Sequence, residues 1–196
     1  MQTQSMPIFN DDITFIHIPK CGGSSIEAFL PSLGWKMSLY TNTSSVFING
    51  HTPQHCTYRE LVELNIVTKR VFAVVRPDVD RCVSEYFYAQ KYRPDIVGLF
   101  DDFDSFLDLF LDRRHTQMFD QHNLPSREFL LNKQGEIEPT IEVIDFFDIP
   151  RIETFLGVTG LARFHELRSI RDPNFRLSTE QEQRIISYFR DYEHNP

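Results

Sequence analysis

The stretch from Ile13 to Ala28 constrains the fold of this chain more than any other part of its sequence. It reads Ile-Thr-Phe-Ile-His-Ile-Pro-Lys-Cys-Gly-Gly-Ser-Ser-Ile-Glu-Ala. The apolar residues of positions 13–18 predict a short buried strand, and Pro19 ends it because proline has no N–H to donate to a ladder. Two glycines then permit a tight turn, and a helix is predicted from Ser24 onward.

This strand, turn and helix are expected to form an anion-binding site. The first N–H groups of a helix have no partner within the helix, and the helix dipole favours negative charge at that end. Lys20 adds a positive charge where the strand ends. The order is not that of a Walker A loop, in which the glycines come first and the lysine directly precedes Ser or Thr. A phosphate group is the predicted ligand, and a plain strand-to-helix connection is the alternative.

A second segment repeats this arrangement of strand, polar residue and helix. The unbroken β-rich run Arg70–Val75 predicts a strand of a doubly covered parallel sheet, and a helix is predicted from Val79 to Gln90. Arg76, between them, can bind a phosphate through two parallel hydrogen bonds, and Ser84 can donate a third. Alternatively, Arg76 pairs with Asp80, and Ser84 merely faces a neighbouring helix.

The remaining pattern alternates strands with helices, which favours an α/β fold with three layers (α/β/α) around a central parallel sheet. The length of 196 residues suits a single domain over residues 1–196, and eighteen phenylalanines predict an aromatic core. Ligands of such sheets bind at the carboxyl ends of the strands, where both segments above have their polar residues. The other predicted elements are a surface loop over 34–45, a strand at 46–48, a helix over 58–64 capped by Thr57 and Glu60, a helix over 104–114, a hairpin turn at 132–135, a strand over 141–147 and a terminal helix over 178–192 capped by Ser178 and Gln181.

Charge and cysteine content narrow the possible partners. The formal net charge is −8, which disfavours nucleic acid, so an anion must be held by a local cluster of donors. Cys21, Cys56 and Cys82 are too few and too scattered to predict a disulfide framework or a zinc site, and we expect reduced thiols. The sequence has neither a signal-peptide pattern nor an apolar run of membrane-spanning length, so a cytoplasmic location without a membrane span is expected.

Together, the two polar segments resemble the motifs of sulfotransferases that use 3′-phosphoadenosine 5′-phosphosulfate (PAPS), especially the carbohydrate sulfotransferase branch. That family typically has Pro-Lys-x-Gly-Gly-[Ser/Thr]-[Ser/Thr] between a strand and a helix, and then Arg-x-Pro with a serine eight residues after the arginine. Here residues 19–25 read Pro-Lys-Cys-Gly-Gly-Ser-Ser, and Ser84 follows Arg76 by eight positions. Cys21 replaces the usual threonine, and Pro77 follows the arginine directly. The end of the chain also resembles the terminal helix of that family.

The resemblance implies a P-loop-NTPase-like sulfotransferase fold and a role for each matching residue. Lys20 would stabilise charge on the bridging oxygen as sulfate leaves, and Arg76 and Ser84 would bind the 3′-phosphate. The 5′-phosphate would lie on the backbone N–H groups and hydroxyls of the first helical turn. Such catalysis consists chiefly of positioning and charge stabilisation and requires no metal. The implied donor-binding residues are Lys20, Cys21, Gly22, Gly23, Ser24, Ser25, Arg76 and Ser84.

Transfer to a hydroxyl also requires a general base, and histidine titrates closest to neutral pH. Family members often have a Gly-His pair between the two donor motifs, and His51 after Gly50 matches it. His51 is therefore the predicted base, with His55 as the second choice. Glu27 is a weaker rival, expected to point along the first helix, and His17 is expected to be structural.

The resulting prediction is an enzyme that transfers sulfate from PAPS to an acceptor hydroxyl, with a carbohydrate as the favoured acceptor. Residues 145–150 occupy the place where relatives often carry Arg-Phe-Glu, so the acceptor side departs from the family pattern. One alternative is therefore a nucleotide- or sulfate-binding module that lacks catalysis. The other is a P-loop kinase-like phosphotransferase, which the lysine-first loop and the lack of a clear magnesium-binding carboxylate after a strand disfavour.

Overall fold

A computed structural model describes residues 8–9, 12–38, 49–163 and 172–194. The chain divides into two compact units. The first unit comprises Met1–Arg76 and Ser126–Leu167, and the second comprises Pro77–Pro125 and Arg168–Pro196. The strand predicted at 46–48 lies outside the described residues.

A five-stranded sheet of order β3-β1-β2-β4-β5 lies in the first unit. β2, β4 and β5 are parallel neighbours, whereas β1 pairs antiparallel with β2 and β3. The parallel strands confirm the α/β class. The predicted surface loop over 34–45 was wrong in part, because two of its residues pair with β1 as a strand. The strands are β1 (Ile8–Phe9), β2 (Ile13–Ile16), β3 (Met37–Ser38), β4 (Arg70–Val75) and β5 (Ile141–Asp145).

The described residues form six α-helices, and most begin where the sequence predicts them. Thr57 and Glu60 form the predicted reciprocal capping box of the second helix, and Ser178 and Gln181 exchange the same pair of bonds before the last. Among these residues, no helix combines the length and the apolar character needed to cross a membrane. The helices are α1 (Gly23–Ser32), α2 (Tyr58–Glu63), α3 (Asp78–Tyr92), α4 (Phe103–Phe110), α5 (Ile149–Leu156) and α6 (Thr179–His194).

The register between β2 and β4 determines where the two polar segments begin. Ile16, the last residue of β2, lies opposite Ala73 of β4, and the two strands run in the same direction. Phe15 stacks on Phe72 across this pair at a centroid distance of 4.7 Å, and both rings are buried. The loops that follow β2 and β4 therefore leave the same edge of the sheet.

The second unit is built around a cluster of buried aromatic rings, as the phenylalanine content predicts. Tyr86 of α3 contacts the rings of Phe103 and Phe106 at 5.0 and 5.3 Å. The helix predicted over 104–114 ends earlier, at Phe110, because the Asp112 side chain accepts from the backbone of Arg114 and opens a separate 3-10 turn. The buried cluster includes Tyr86, Phe87, Phe100, Phe103, Phe106, Phe110, Phe119 and Phe189.

Candidate functional site

The N-terminus of α1 carries no side-chain cap. Gly22 occupies the N-cap position with φ 80, in the left-handed region, and no acidic residue lies in the first turn. Ser24 and Ser25 are half-buried in that turn, and the Ser25 N–H donates to the carbonyl of Gly22 at 3.1 Å. Helix N-termini of this kind bind anions, because their N–H groups and their dipole point at the ligand.

Both glycines of this turn are required by close packing, and Gly22 is also required by its left-handed backbone conformation. A Cβ atom on Gly22 would lie 2.8 Å from the ring of Phe146, and one on Gly23 would lie 2.3 Å from the ring of His17. Real Cβ atoms essentially never approach other atoms so closely. Larger residues are therefore excluded at both positions unless the rings shift.

A buried polar network of three residues lies directly against this turn. His17 Nδ1 is 2.7 Å from Glu27 Oε1, and Gln54 Nε2 donates to Glu27 Oε2 at 2.7 Å. The side chains of His17 and Glu27 are 4% and 3% exposed. The structural role expected of His17 stays a prediction, and its burial agrees with that role. The expectation that Glu27 points along the first helix was wrong, because its carboxylate turns inward to the imidazole of His17.

Lys20 adopts an unusual backbone conformation at the start of the loop. Its φ of 65 lies in the left-handed region, which a lysine rarely occupies. Such a conformation costs about 1–3 kcal/mol and persists only where the surrounding structure imposes it, often at ligand sites. The Lys20 side chain is half-exposed, whereas the Cys21 side chain is buried and takes part in no disulfide.

Arg76 follows β4 and lies against the same aromatic ring as the α1 turn. Its guanidinium carbon is 5.0 Å from the centroid of Phe146, and the Phe146 N–H donates to the Val75 carbonyl at 2.8 Å. Gly22 of the 20–25 loop and Arg76 therefore both lie next to the ring of Phe146. Ser84 lies half-buried on α3 in the second unit.

Sequence reasoning missed the part that Phe146 plays in this site. The signal was present, because the residue comes directly after β5, at the same edge of the sheet as the two predicted phosphate-binding segments. Its exposed neighbour Phe147 contacts it edge-on at 5.1 Å. Aromatic residues at such a position can pack against a planar ligand as well as against the protein.

His51, the predicted general base, is 1% exposed and lies between two acceptor oxygens. Its Nδ1 is 2.8 Å from the Thr52 carbonyl, and its Nε2 is 2.9 Å from Glu60 Oε1. A proton on each ring nitrogen satisfies both contacts. The base role stays a prediction, and it requires that the contact with Glu60 open. His55, the second choice, is also buried, with its ring 5.1 Å from that of His17.

Glu60 is a strongly stabilised carboxylate. Burial acts to raise its pKa, but hydrogen bonds from His51 and Asn49, with one from the backbone of the capping box, outweigh burial and lower the pKa from 4.5 to about 2. The carboxylate is therefore ionised throughout the physiological range. This charge keeps the His51 ring in place.

Comparisons with protein-family models, with curated proteins and with solved structures find no match for this chain.

Proposed function

We propose that this chain binds PAPS and transfers its sulfuryl group to a hydroxyl of a carbohydrate acceptor, on a sulfotransferase fold of the P-loop type. One observation carries the proposal. The lysine-glycine-serine loop and Arg76 follow adjacent parallel strands, leave the same edge of the sheet, and both contact Phe146. Ligands of α/β sheets bind at this edge.

The donor requires two separated anion sites, and the two segments supply different chemistry for each. The uncapped turn of α1 offers backbone N–H groups and the hydroxyls of Ser24 and Ser25 for the 5′-phosphate. Arg76 offers a planar guanidinium for the 3′-phosphate. The contribution of Ser84 to that phosphate rests on the sequence resemblance, since it belongs to the second unit.

In the transfer step, the acceptor oxygen forms a bond to sulfur while the bond between sulfur and the bridging oxygen of the donor breaks. The hydroxyl proton passes to a general base, and 3′-phosphoadenosine 5′-phosphate leaves. Lys20 stabilises the negative charge that develops on the bridging oxygen. His51 accepts the proton once its Nε2 is released from Glu60, and His55 is the alternative base.

The decisive experiment compares two ligands and two variants. The full chain is titrated with 3′-phosphoadenosine 5′-phosphate and with ADP, and transfer from labelled PAPS is followed over a panel of glycans. Arg76→Ala is expected to weaken the first ligand by about 10- to 100-fold, the value of one charge-assisted contact. Lys20→Ala is expected to lower turnover about 10²- to 10³-fold.

Two exposed positions of the first unit supply matched controls. Lys133→Ala and Arg163→Ala remove the same charges from exposed side chains that carry no role in the proposal, and both are expected to leave binding and turnover unchanged. Equal affinity for ADP and the 3′-phosphorylated ligand would overturn the assignment of the donor. Unchanged turnover in Lys20→Ala would overturn the mechanism.

A binding module without catalysis is the second candidate, and the state of His51 favours it. Both ring nitrogens of His51 face oxygen acceptors, and the ring is buried. Binding of the 3′-phosphorylated ligand without transfer to any glycan is the result expected of such a module. Preference for ADP with phosphoryl transfer is instead the result expected of a kinase-like enzyme.

A further inference from the structure

Three side chains beside the start of α2 bring together a nitrogen, a sulfur and an oxygen ligand. They are His51, Cys56 and Glu60, and their ligand atoms all lie within 4.8 Å of one another. His51 and Cys56 are 1% and 2% exposed, and all three belong to the first unit. The common zinc-binding sequence motifs contain paired cysteines or paired histidines. The spacing of these three residues, His-x4-Cys-x3-Glu, matches none of them.

The imidazole of this cluster is already oriented as metal-bound histidines are. His51 Nδ1 lies 2.8 Å from the Thr52 carbonyl, an oxygen that can only accept, so Nδ1 carries a proton. Metal-bound histidines almost always donate their second ring N–H to a carbonyl or carboxylate in this way. The lone pair of the neutral ring is thereby assigned to Nε2, the atom that faces the cluster.

Hydrogen bonds also fix the orientation of the Glu60 carboxylate. Glu60 Oε2 accepts from the backbone N–H and the hydroxyl of Thr57 at 2.8 and 2.9 Å. Oε1 accepts from Asn49 at 2.9 Å and faces His51 Nε2 at 2.9 Å. With Oε2 used by the capping box, Oε1 is the oxygen that faces the imidazole of His51.

The contact between His51 Nε2 and Glu60 Oε1 requires either a proton or a metal ion between the two atoms. Both atoms are acceptors when Nδ1 carries the proton of a neutral imidazole, and two lone pairs at 2.9 Å repel each other. A proton on Nε2 removes the repulsion, and so does a metal ion. Two ligand atoms that lie ~2.0–2.1 Å from a tetrahedral zinc ion are about 3.3 Å apart, so the metal requires only a small separation of the two side chains.

We infer that His51, Cys56 and Glu60 bind a zinc ion, with a fourth position left for water. Thiolate, imidazole and carboxylate are all zinc ligands, and the thiolate selects against magnesium and calcium. Binding releases the Cys56 proton and any proton on His51 Nε2 to solvent. If the proposed sulfate transfer holds, zinc also occupies the lone pair that the base needs, so zinc inhibits transfer.

Cobalt(II) is the probe that tests the site without reference to any enzymatic activity. The full chain, stripped with a chelator and kept reduced, is titrated with Co²⁺ and then with Zn²⁺ in competition. The expected result is one equivalent of Co²⁺ with a thiolate-to-cobalt charge-transfer band, which Zn²⁺ abolishes. Absence of that band, or of saturable zinc binding, in the wild-type chain overturns the inference.

Cys56→Ser removes the sulfur ligand, and Cys82→Ala is its control, because Cys82 is a buried free thiol in the second unit. Cys56→Ser is expected to lose the band and to weaken zinc binding by more than the ~10–100-fold that an outer-shell partner typically costs. Cys82→Ala is expected to retain both. Zinc binding that is equal in the two variants contradicts the site. A cobalt band in a chain without transferase activity leaves the site standing and removes only the proposed function.

Discussion

The N-termini of α1 and α2 lie in the same unit and are built in opposite ways. α1 begins at Gly22 without a side-chain cap, whereas α2 begins at Thr57 with a reciprocal capping box to Glu60. The six residues of α2 need that internal closure, because so short a helix is marginal by itself. The ten residues of α1 bury Ile26, Phe29 and Leu30, so packing stabilises this helix and its first turn can lack a capping side chain.

Each helix start also lies next to a buried histidine, and the two histidines differ in the carboxylate that each one contacts. His17 packs its ring edge on the α1 turn and is held by a carboxylate from within that helix, Glu27. His51 bonds to the capping carboxylate of α2 itself. The uncapped turn of α1 thus packs against a histidine held by its own helix, whereas the capped turn of α2 has a histidine bonded to its capping carboxylate.

The largest effect is expected from Glu27→Ala, which removes the support beneath α1. It leaves the Nδ1–H of His17 and the amide of Gln54 buried without their acceptor, and breaking a buried pair of this kind typically costs about 3–5 kcal/mol. Urea unfolding measures the change in free energy. Glu27→Gln keeps the volume and one acceptor and is expected to lose less. A loss below about 1 kcal/mol in Glu27→Ala would contradict a structural role for the network.

Gly23→Ala is expected to have the next largest effect. The added methyl group meets the His17 ring at 2.3 Å, and the ring cannot turn away because Glu27 holds it. Overpacking of this kind costs about 1–3 kcal/mol. Gly98→Ala is the control, because a Cβ there meets nothing within 4 Å. Equal shifts in Tm for the two variants would refute the close contact between turn and ring.

The closed start of α2 is expected to make stability depend on pH. The pKa of Glu60 falls from 4.5 to about 2 in the folded chain, so the ionised form favours folding. Its contribution is complete above pH 4.5 and is lost as the pH falls towards 2. Solvent screens part of this carboxylate, so we expect about 1–2 kcal/mol, less than the full shift implies. The difference in unfolding free energy between wild type and Glu60→Gln, measured from pH 6 to pH 2, isolates this group; a constant difference would exclude it.

The smallest effect is expected from Thr57→Ala, which removes the two hydrogen bonds that the Thr57 hydroxyl makes with Glu60 in the cap of α2. Loss of an N-cap hydroxyl costs about 1 kcal/mol. Thr57→Ser retains the hydroxyl and is the control. Because α2 closes on itself, affinity for 3′-phosphoadenosine 5′-phosphate is expected to be unchanged in both variants. A large loss of that affinity would mean that the two helix starts are not independent.

Local sequence patterns predicted the elements that depend on neighbouring residues. Arg70–Val75 is a strand over its predicted range, because an unbroken run of β-branched and apolar residues suits a strand covered on both faces. The capping box of α2 follows from Thr57 and Glu60, three positions apart. The end of α4 was not predicted correctly. Asp112 starts a separate turn there, and the hydrophobic periodicity of the sequence does not show that this turn replaces the helix.

The candidate site could be predicted only in part, because local sequence patterns do not show contacts between residues that are distant in the chain. Lys20, Gly22 and Gly23 are recognisable from their order after a strand. The inward turn of Glu27 depends on the position of His17 across the loop, and Phe146 is 124 positions beyond Gly22 in the chain. Neither contact corresponds to a residue spacing that predicts it from the sequence.

By itself, the sequence of this chain determined its α/β class, its main strands and helices, and the order of its lysine, glycines and serines, because these follow from hydrophobic period, caps and turn residues within a few positions. Only the tertiary structure decided which residues lie in contact: Gly23 with His17, Gly22 and Arg76 with Phe146, and His51 with Glu60. Those contacts depend on the strand order β2-β4-β5 and on the path of each connecting loop. Long-range packing sets both, and the local chain does not encode it.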